Sequence, residues 1–183
     1  MTDLRTLDEL RADFSRSRFL AMPIAGTVAW TVAGVLGAFL NVEQASYALF
    51  FCTGSIFPLG LLVARLTGED LLGKRSQNPL DGLFGQNILM ANLAWGIAIP
   101  FWLVEPSSLP LGVGILAGLM WVPLSWMIQH WVGLFHGIAR TVLIVATWYL
   151  LPEHRFTAVP AVVVLVYAIS IAALLRRPLP QPA

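Results

Sequence analysis

A chain of 183 residues that is 57% hydrophobic and 11% charged, with a mean hydropathy of +0.76 and a net charge of +1, is too apolar for a water-soluble domain or a disordered tail. Its charge is also too small for a nucleic-acid binder. At roughly 20 to 25 residues per crossing plus connections, the length holds about six transmembrane helices and no soluble catalytic domain beside them. The single Cys52 sits in an apolar run, so neither an intrachain disulfide nor a CxxC metal site is available.

Residues 2–19 place Leu4, Leu7, Leu10 and Phe14 at helical spacing, and Thr6 with Glu9 has the form of a capping box. This predicts an amphipathic helix lying on the membrane surface, with Arg11, Arg16 and Arg18 toward lipid headgroups. A solvated, frayed leader is the alternative. The chain then divides into this cytoplasmic leader (1–19), a transmembrane bundle (20–175) and a Pro-rich, disordered cytoplasmic tail (176–183).

The first span, 20–40, is too long for a signal-peptide core. Its Ala25, Ala29, Ala33 and Gly37 form a smooth strip for close helix approach. The second span, 47–66, is interrupted by Pro58, and the third, 80–104, carries Pro100 near its far end. Between them runs the longest polar connection, with Glu69, Asp70, Lys74 and Arg75. The apolar stretch 111–151 suits two helices joined by a tight turn near 129–137, with Gly133 and Gly137 for flexibility and Trp126 and Trp131 at the interface. The sixth span, 157–175, ends at Arg176 and Arg177. Phe57-Pro58-Leu59 echoes Val122-Pro123-Leu124, a match within the range of chance that a parallel hairpin repeat would also produce.

Six spans put ten of the eleven basic residues on one side, Arg140 among them, and leave Arg155 on the other. By the positive-inside rule both termini are cytoplasmic.

The chemistry is sparse. Gln86, Asn87 and Asn92 are spread round the third span, which places that helix centrally, its amides bonded to neighbouring helices or contacting a solute. Asn92 lies roughly 18 Å in from Leu80, close to the midplane. Ser125, Gln129, His130, His136 and Arg140 gather at the cytoplasmic ends of spans four and five, with His136 and Arg140 on one helical face. With Gln86 and Asn87 they outline a polar pocket for an anionic or hydrogen-bonding ligand. The alternative is a headgroup role, Arg140 snorkelling to phosphate and His130 capping a helix end. The two histidines lack companions for zinc, and Glu43, Glu105, Glu153 and His154 read as separate residues in wet loops. The glycines at 112, 114 and 118 have no strand before them and sit inside a span, where Gly114 and Gly118 suit close packing, as do Gly133 and Gly137. No Asp or Glu falls within a span, which disfavours an acid proton relay.

The charged leader, Phe57-Pro58-Leu59 with Arg65, Asn78-Pro79-Leu80 opening span three, the amides early in that span, and Pro123 followed by Trp126 together resemble a family of small bacterial membrane proteins, the domain of unknown function seven thousand and ten. The resemblance runs from about residue 11 to 175. It implies a helical inner-membrane protein and supplies no catalytic residues. Asn78, Pro79 and Asp81 also have a local reading as the entry of span three.

The expected fold is therefore an all-α polytopic membrane protein, one bundle of six transmembrane helices behind an N-terminal amphipathic helix. The absence of recognisable catalytic groupings points first to a non-catalytic protein associating with lipid, a membrane-protein partner or a second copy. The alternatives are a small carrier or channel for a neutral or anionic solute, using Asn87, Asn92, His136 and Arg140, and a membrane enzyme using a histidine. No cofactor is implied.

Overall fold

The computed structural model describes residues 5–71 and 77–180, and within them every regular element is a helix. Lys74 and Arg75 lie outside the described residues. The helices are α1 (Leu7–Phe14), α2 (Ala21–Gly37), α3 (Val42–Gly54), α4 (Ile56–Thr67), α5 (Pro79–Leu93), α6 (Trp95–Val104), α7 (Leu109–Leu116), α8 (Trp121–Met127), α9 (Val132–Leu150) and α10 (Arg155–Arg176). Four stretches are long and apolar enough to cross a membrane: Pro79–Val104, Pro106–Met127, Val132–Leu150 and Pro152–Arg176. The α3–α4 pair, bent by 40°, makes a fifth, and α2 is apolar but has only 17 residues.

Small residues set how the helices meet. The α2 strip of Ala25, Ala29 and Ala33 is buried, and α10 lies antiparallel beside that helix. A Cβ at Gly26 would overlap the Tyr167 ring, and one at Gly37 would lie 2.3 Å from the Phe156 carbonyl oxygen, so the backbones approach as closely as glycine allows. On the other side of the bundle α8 rides on α9, where a Cβ at Gly133 would stand 2.2 Å from the Trp121 carbonyl oxygen. Gly133 and Gly137 therefore serve packing inside α9, and the turn expected over 129–137 is confined to the residues before Val132.

Three legs of the bundle are broken. Pro58 is the third residue of α4, where its ring crowds the Gly54 carbonyl, and the helix breaks at Ser55. Pro123 is likewise the third residue of α8 and cannot donate to the Leu119 carbonyl, which takes the Val122 N–H at 3.1 Å instead. The chain between α7 and α8 consequently tightens to bonds between residues three apart, Gly118 N–H to the Ile115 carbonyl being one at 2.8 Å. The echo of Phe57-Pro58-Leu59 in Val122-Pro123-Leu124 thus marks two helix breaks of one kind. A third break, of one residue, falls at Ala94 between α5 and α6.

The two ends of the chain meet. Arg18 donates to the carbonyls of Leu174, Leu175 and Arg177 at 3.2, 2.6 and 3.1 Å, closing the C-terminus of α10, while Arg177 donates to the Ser17 carbonyl at 2.6 Å. At the same end Glu69 accepts from the Leu20 and Ala21 N–H groups and caps α2. The leader forms α1, and the capping box between Thr6 and Glu9 is present. Phe14 packs on Phe19 and Phe84, the Arg11 guanidinium lies 3.8 Å from the centroid of the Trp126 ring, and Asn78 donates to the Leu10 carbonyl. Arg11 and Arg18, expected to face lipid headgroups, are thus turned onto the protein. At the opposite end Arg155 stacks on Trp148 and donates to Ser107.

Candidate intramembrane binding site

Arg140 is the ninth residue of the 19-residue helix α9, roughly 12 Å from its start, and is wholly buried. This corrects the expected position at a cytoplasmic helix end, and its side chain does not reach out to the bundle's surface. Its guanidinium places a full positive charge at mid-height in the bundle. Among the described residues no carboxylate comes within salt-bridge distance of it.

Three features hold the side chain. Tightening of the chain after α7 commits the Gly118 N–H to Ile115, which leaves the Gly114 carbonyl to accept from Arg140 Nε at 2.6 Å. Gly118 supplies the room, since a Cβ there would stand 2.8 Å from Arg140 Cδ. His136, one turn earlier, sits 3.3 Å from Arg140 Nη1 through Nε2 and 2.9 Å from Ser170 Oγ through Nδ1.

The direction of this chain follows from its ends. Ser170 donates its hydroxyl proton to the Val166 carbonyl at 2.8 Å, so its oxygen accepts from His136 Nδ1–H. The imidazole is then the neutral tautomer with a lone pair on Nε2, which accepts from the guanidinium. Trp121 stacks on the imidazole with centroids 3.9 Å apart and planes 10° apart, and Tyr167 closes the other side at 4.8 Å. His136 and Ser170 are both fully buried and hold Arg140 in place.

One arm of the guanidinium is left over. Arg140 Nη2 is buried with no hydrogen-bond partner, and so is Trp30 Nε1, the guanidinium carbon lying 5.4 Å from the centroid of the Trp30 ring. Both residues line one cavity of about 100 Å³. All three helix breaks reach it: Thr53 and Gly54 from the first, Ala94 and Trp95 from the second, Ala117 and Met120 from the third. Its walls are otherwise mostly apolar, and it extends to Phe19, Glu69 and Leu71 at the end of the bundle where the termini meet. A cavity surrounded by discontinuous helices is where a membrane protein tolerates irregular backbone and where its ligands commonly bind.

The residues singled out from sequence separate into three places. His136 and Arg140 come together, and Asn92 shares Arg140's cavity, its Nδ2 donating to the Ile88 carbonyl of its own helix at 2.8 Å. Asn87 is buried, with its Nδ2 unpartnered, but does not line the cavity, and Gln86 is exposed on the outside of α5. Gln129 and His130 form the turn before α9. Gln129 adopts φ 49°, and His130 Nδ1 accepts from the Val132 N–H at 3.3 Å, a helix-end role. Partial burial, with the charge of Arg177 adding to it, holds the His130 imidazole below the usual histidine range. Among the described residues there is no group of three His, Cys, Asp or Glu able to hold a metal ion.

Trp30, Trp121, Tyr167 and Ser170 are the site residues that the sequence reading missed. A signal existed: Trp30 and Trp121 fall well inside apolar spans rather than in an interfacial belt, and Tyr167 and Ser170 are polar residues three apart on the last span, where each needs a partner.

No curated protein and no solved structure matches the chain. A family model matches from residue 7 to 177, over nearly the whole of the bundle just described, and the chain belongs to that family, the family of unknown function DUF7010.

Proposed function

We propose that the protein crosses a membrane six times, with both termini on the cytoplasmic side of an inner membrane, and that it is a small carrier whose central cavity receives an anionic solute. The observation that carries this reading is the buried Arg140 guanidinium, held on two sides, unpartnered at Nη2 and lining a cavity between three broken helices. Taking a cation out of water costs several kcal/mol, and an arrangement that leaves it without a counter-charge lowers that cost when an anion enters. The breaks beside the cavity supply points at which the legs can bend, as binding and release on opposite sides require.

Six crossings are supported by the bonds from Arg18 to the Arg177 carbonyl and from Arg177 to the Ser17 carbonyl, which bring both termini to one end. Arg5, Arg11, Arg16, Arg18, Arg65, Arg176 and Arg177 flank helix termini at that end, against Arg155 at the other. Arg140 drops out of this tally because it is internal. The carrier reading is favoured over an enzyme because His136 and Ser170, which hydrolysis would call on, are spent on orienting Arg140 and do not line the cavity. It is favoured over simple association with lipid or a partner because the unmatched charge is buried inside the bundle.

The test is uptake by proteoliposomes across a panel of anions (chloride, phosphate, acetate, benzoate) and neutral solutes (glycerol, benzyl alcohol). At least one anion should enter through the native protein, at least tenfold slower through Arg140→Ala and more slowly through Asn92→Leu. Equal uptake of every probe by all three proteins contradicts the proposal.

A further inference from the structure

Two donors, one charge and a small apolar box define more than an anion site. Arg140 Nη2 and Trp30 Nε1 are buried and unpartnered, and both residues line the same cavity, so a bound group that satisfies them presents an acceptor to each. Around them lie the rings of Trp121 and Tyr167 and aliphatic carbons of Val113 and Ala117, while the donors of Thr53 and Asn92 on the same cavity are spent on the Leu49 and Ile88 carbonyls. An anion with three or four oxygens leaves some of them facing hydrocarbon, and a dianion leaves one charge uncompensated, since among the described residues Arg140 is the only cation lining the cavity and Glu69 lies at its far end. A carboxylate has two oxygens and one charge, matching the donor pair. A cavity of about 100 Å³ is smaller than one that takes benzene, which excludes an aromatic acid and limits the solute to about two to four carbons with the carboxyl counted.

From this we infer that the solute is a short monocarboxylate with an apolar body, its carboxylate bridging Arg140 Nη2 and Trp30 Nε1 and its hydrocarbon lying among the rings. The inference rests on the carrier reading of the same cavity and narrows it to a chemical class. Trp30 is then a specificity residue: its N–H recognises the second oxygen, while its ring forms part of the wall.

Binding to the full chain in phosphatidylcholine nanodiscs, followed by calorimetry and tryptophan fluorescence, tests it with propionate, butyrate, butyramide, inorganic phosphate and laurate. Propionate and butyrate should bind at least tenfold more tightly than butyramide or phosphate. Trp30→Phe, which keeps an aromatic ring and removes the donor, should weaken butyrate at least threefold and leave butyramide unchanged, and Arg140→Lys should weaken it further. Arg140-dependent binding of phosphate but of neither short acid overturns the monocarboxylate assignment and leaves the anion-carrier reading standing. Laurate binding without butyrate or propionate moves the source of the carboxylate to the lipid phase and overturns the size limit. Butyramide equal to butyrate, or binding of no probe that depends on Arg140, overturns both. Unchanged butyrate affinity in folded Trp30→Phe overturns the bridging role.

Discussion

At Gly118 the missing side chain and the function meet, because a methyl group there would stand 2.8 Å from Arg140 Cδ and 3.1 Å from Nε. Gly118→Ala should displace the guanidinium and lower anion uptake at least as much as it lowers stability, whereas Gly133→Ala presses on the Trp121 backbone and should cost about 2 to 4 kcal/mol by overpacking. Gly85 has nothing within 4 Å of an added Cβ, so Gly85→Ala should be neutral or stabilising by up to about 1 kcal/mol; thermal unfolding in detergent ranks the three. His130 supplies a pH signature. Its imidazole is held below the usual range in the folded protein, so the unfolded chain binds the extra proton first as pH falls, and this contribution to stability is full above about 6.5 and declines below it. Between pH 8 and 5 the native protein should therefore lose more melting temperature than His130→Gln, which carries no titrating group there; equal losses contradict the assignment. The pairing of His136 with Arg140 was legible as an i, i+4 spacing, but their depth was not. Glycines four apart read equally as a turn or as a packed helix face, and only the partner, α8, decides between them.

Among the elements, the broken helices carry the argument. Each proline was visible in the sequence, yet where three breaks converge depends on how the legs pack, which no single segment contains. Pro123→Ala restores an N–H for the Leu119 carbonyl and favours a continuous α7–α8 helix, in which the Gly118 N–H would reclaim the Gly114 carbonyl from Arg140. The expected outcome is a protein at least as stable to heat with uptake reduced several-fold; unchanged uptake would show that the break does not matter to the site. Asn92 teaches a similar lesson. Read as interhelical glue or as a solute contact, it proves to bond its own helix while bordering the cavity, and periodicity cannot distinguish those cases. The leader shows the limit of composition: Phe14 of its narrow apolar stripe packs on Phe84, and Arg11 beside that stripe packs on Trp126, residues that are distant in sequence.

For the whole molecule, the all-helical class and the positions of the apolar legs were readable because hydropathy reports burial in lipid directly. The clasp in which Arg18 caps α10 and Arg177 donates to the Ser17 carbonyl was not, since two basic residues some 160 positions apart announce no partnership. That clasp predicts reporter fusions at both chain ends on the same, cytoplasmic face, and fusions on opposite faces would remove the six-crossing arrangement. It also predicts that Arg18→Gln, which strips the charge from the α10 cap, lowers stability by about 1 to 3 kcal/mol without altering anion selectivity. The most direct measurement is a crystal structure of the protein in lipid with 3-bromopropionate, located by the anomalous signal of bromine. Bromine density is expected in the cavity between the three helix breaks, with the carboxylate about 3 Å from Arg140 Nη2. An Arg140 satisfied by a protein carboxylate or a lipid phosphate, with no bromine in the cavity, would contradict it.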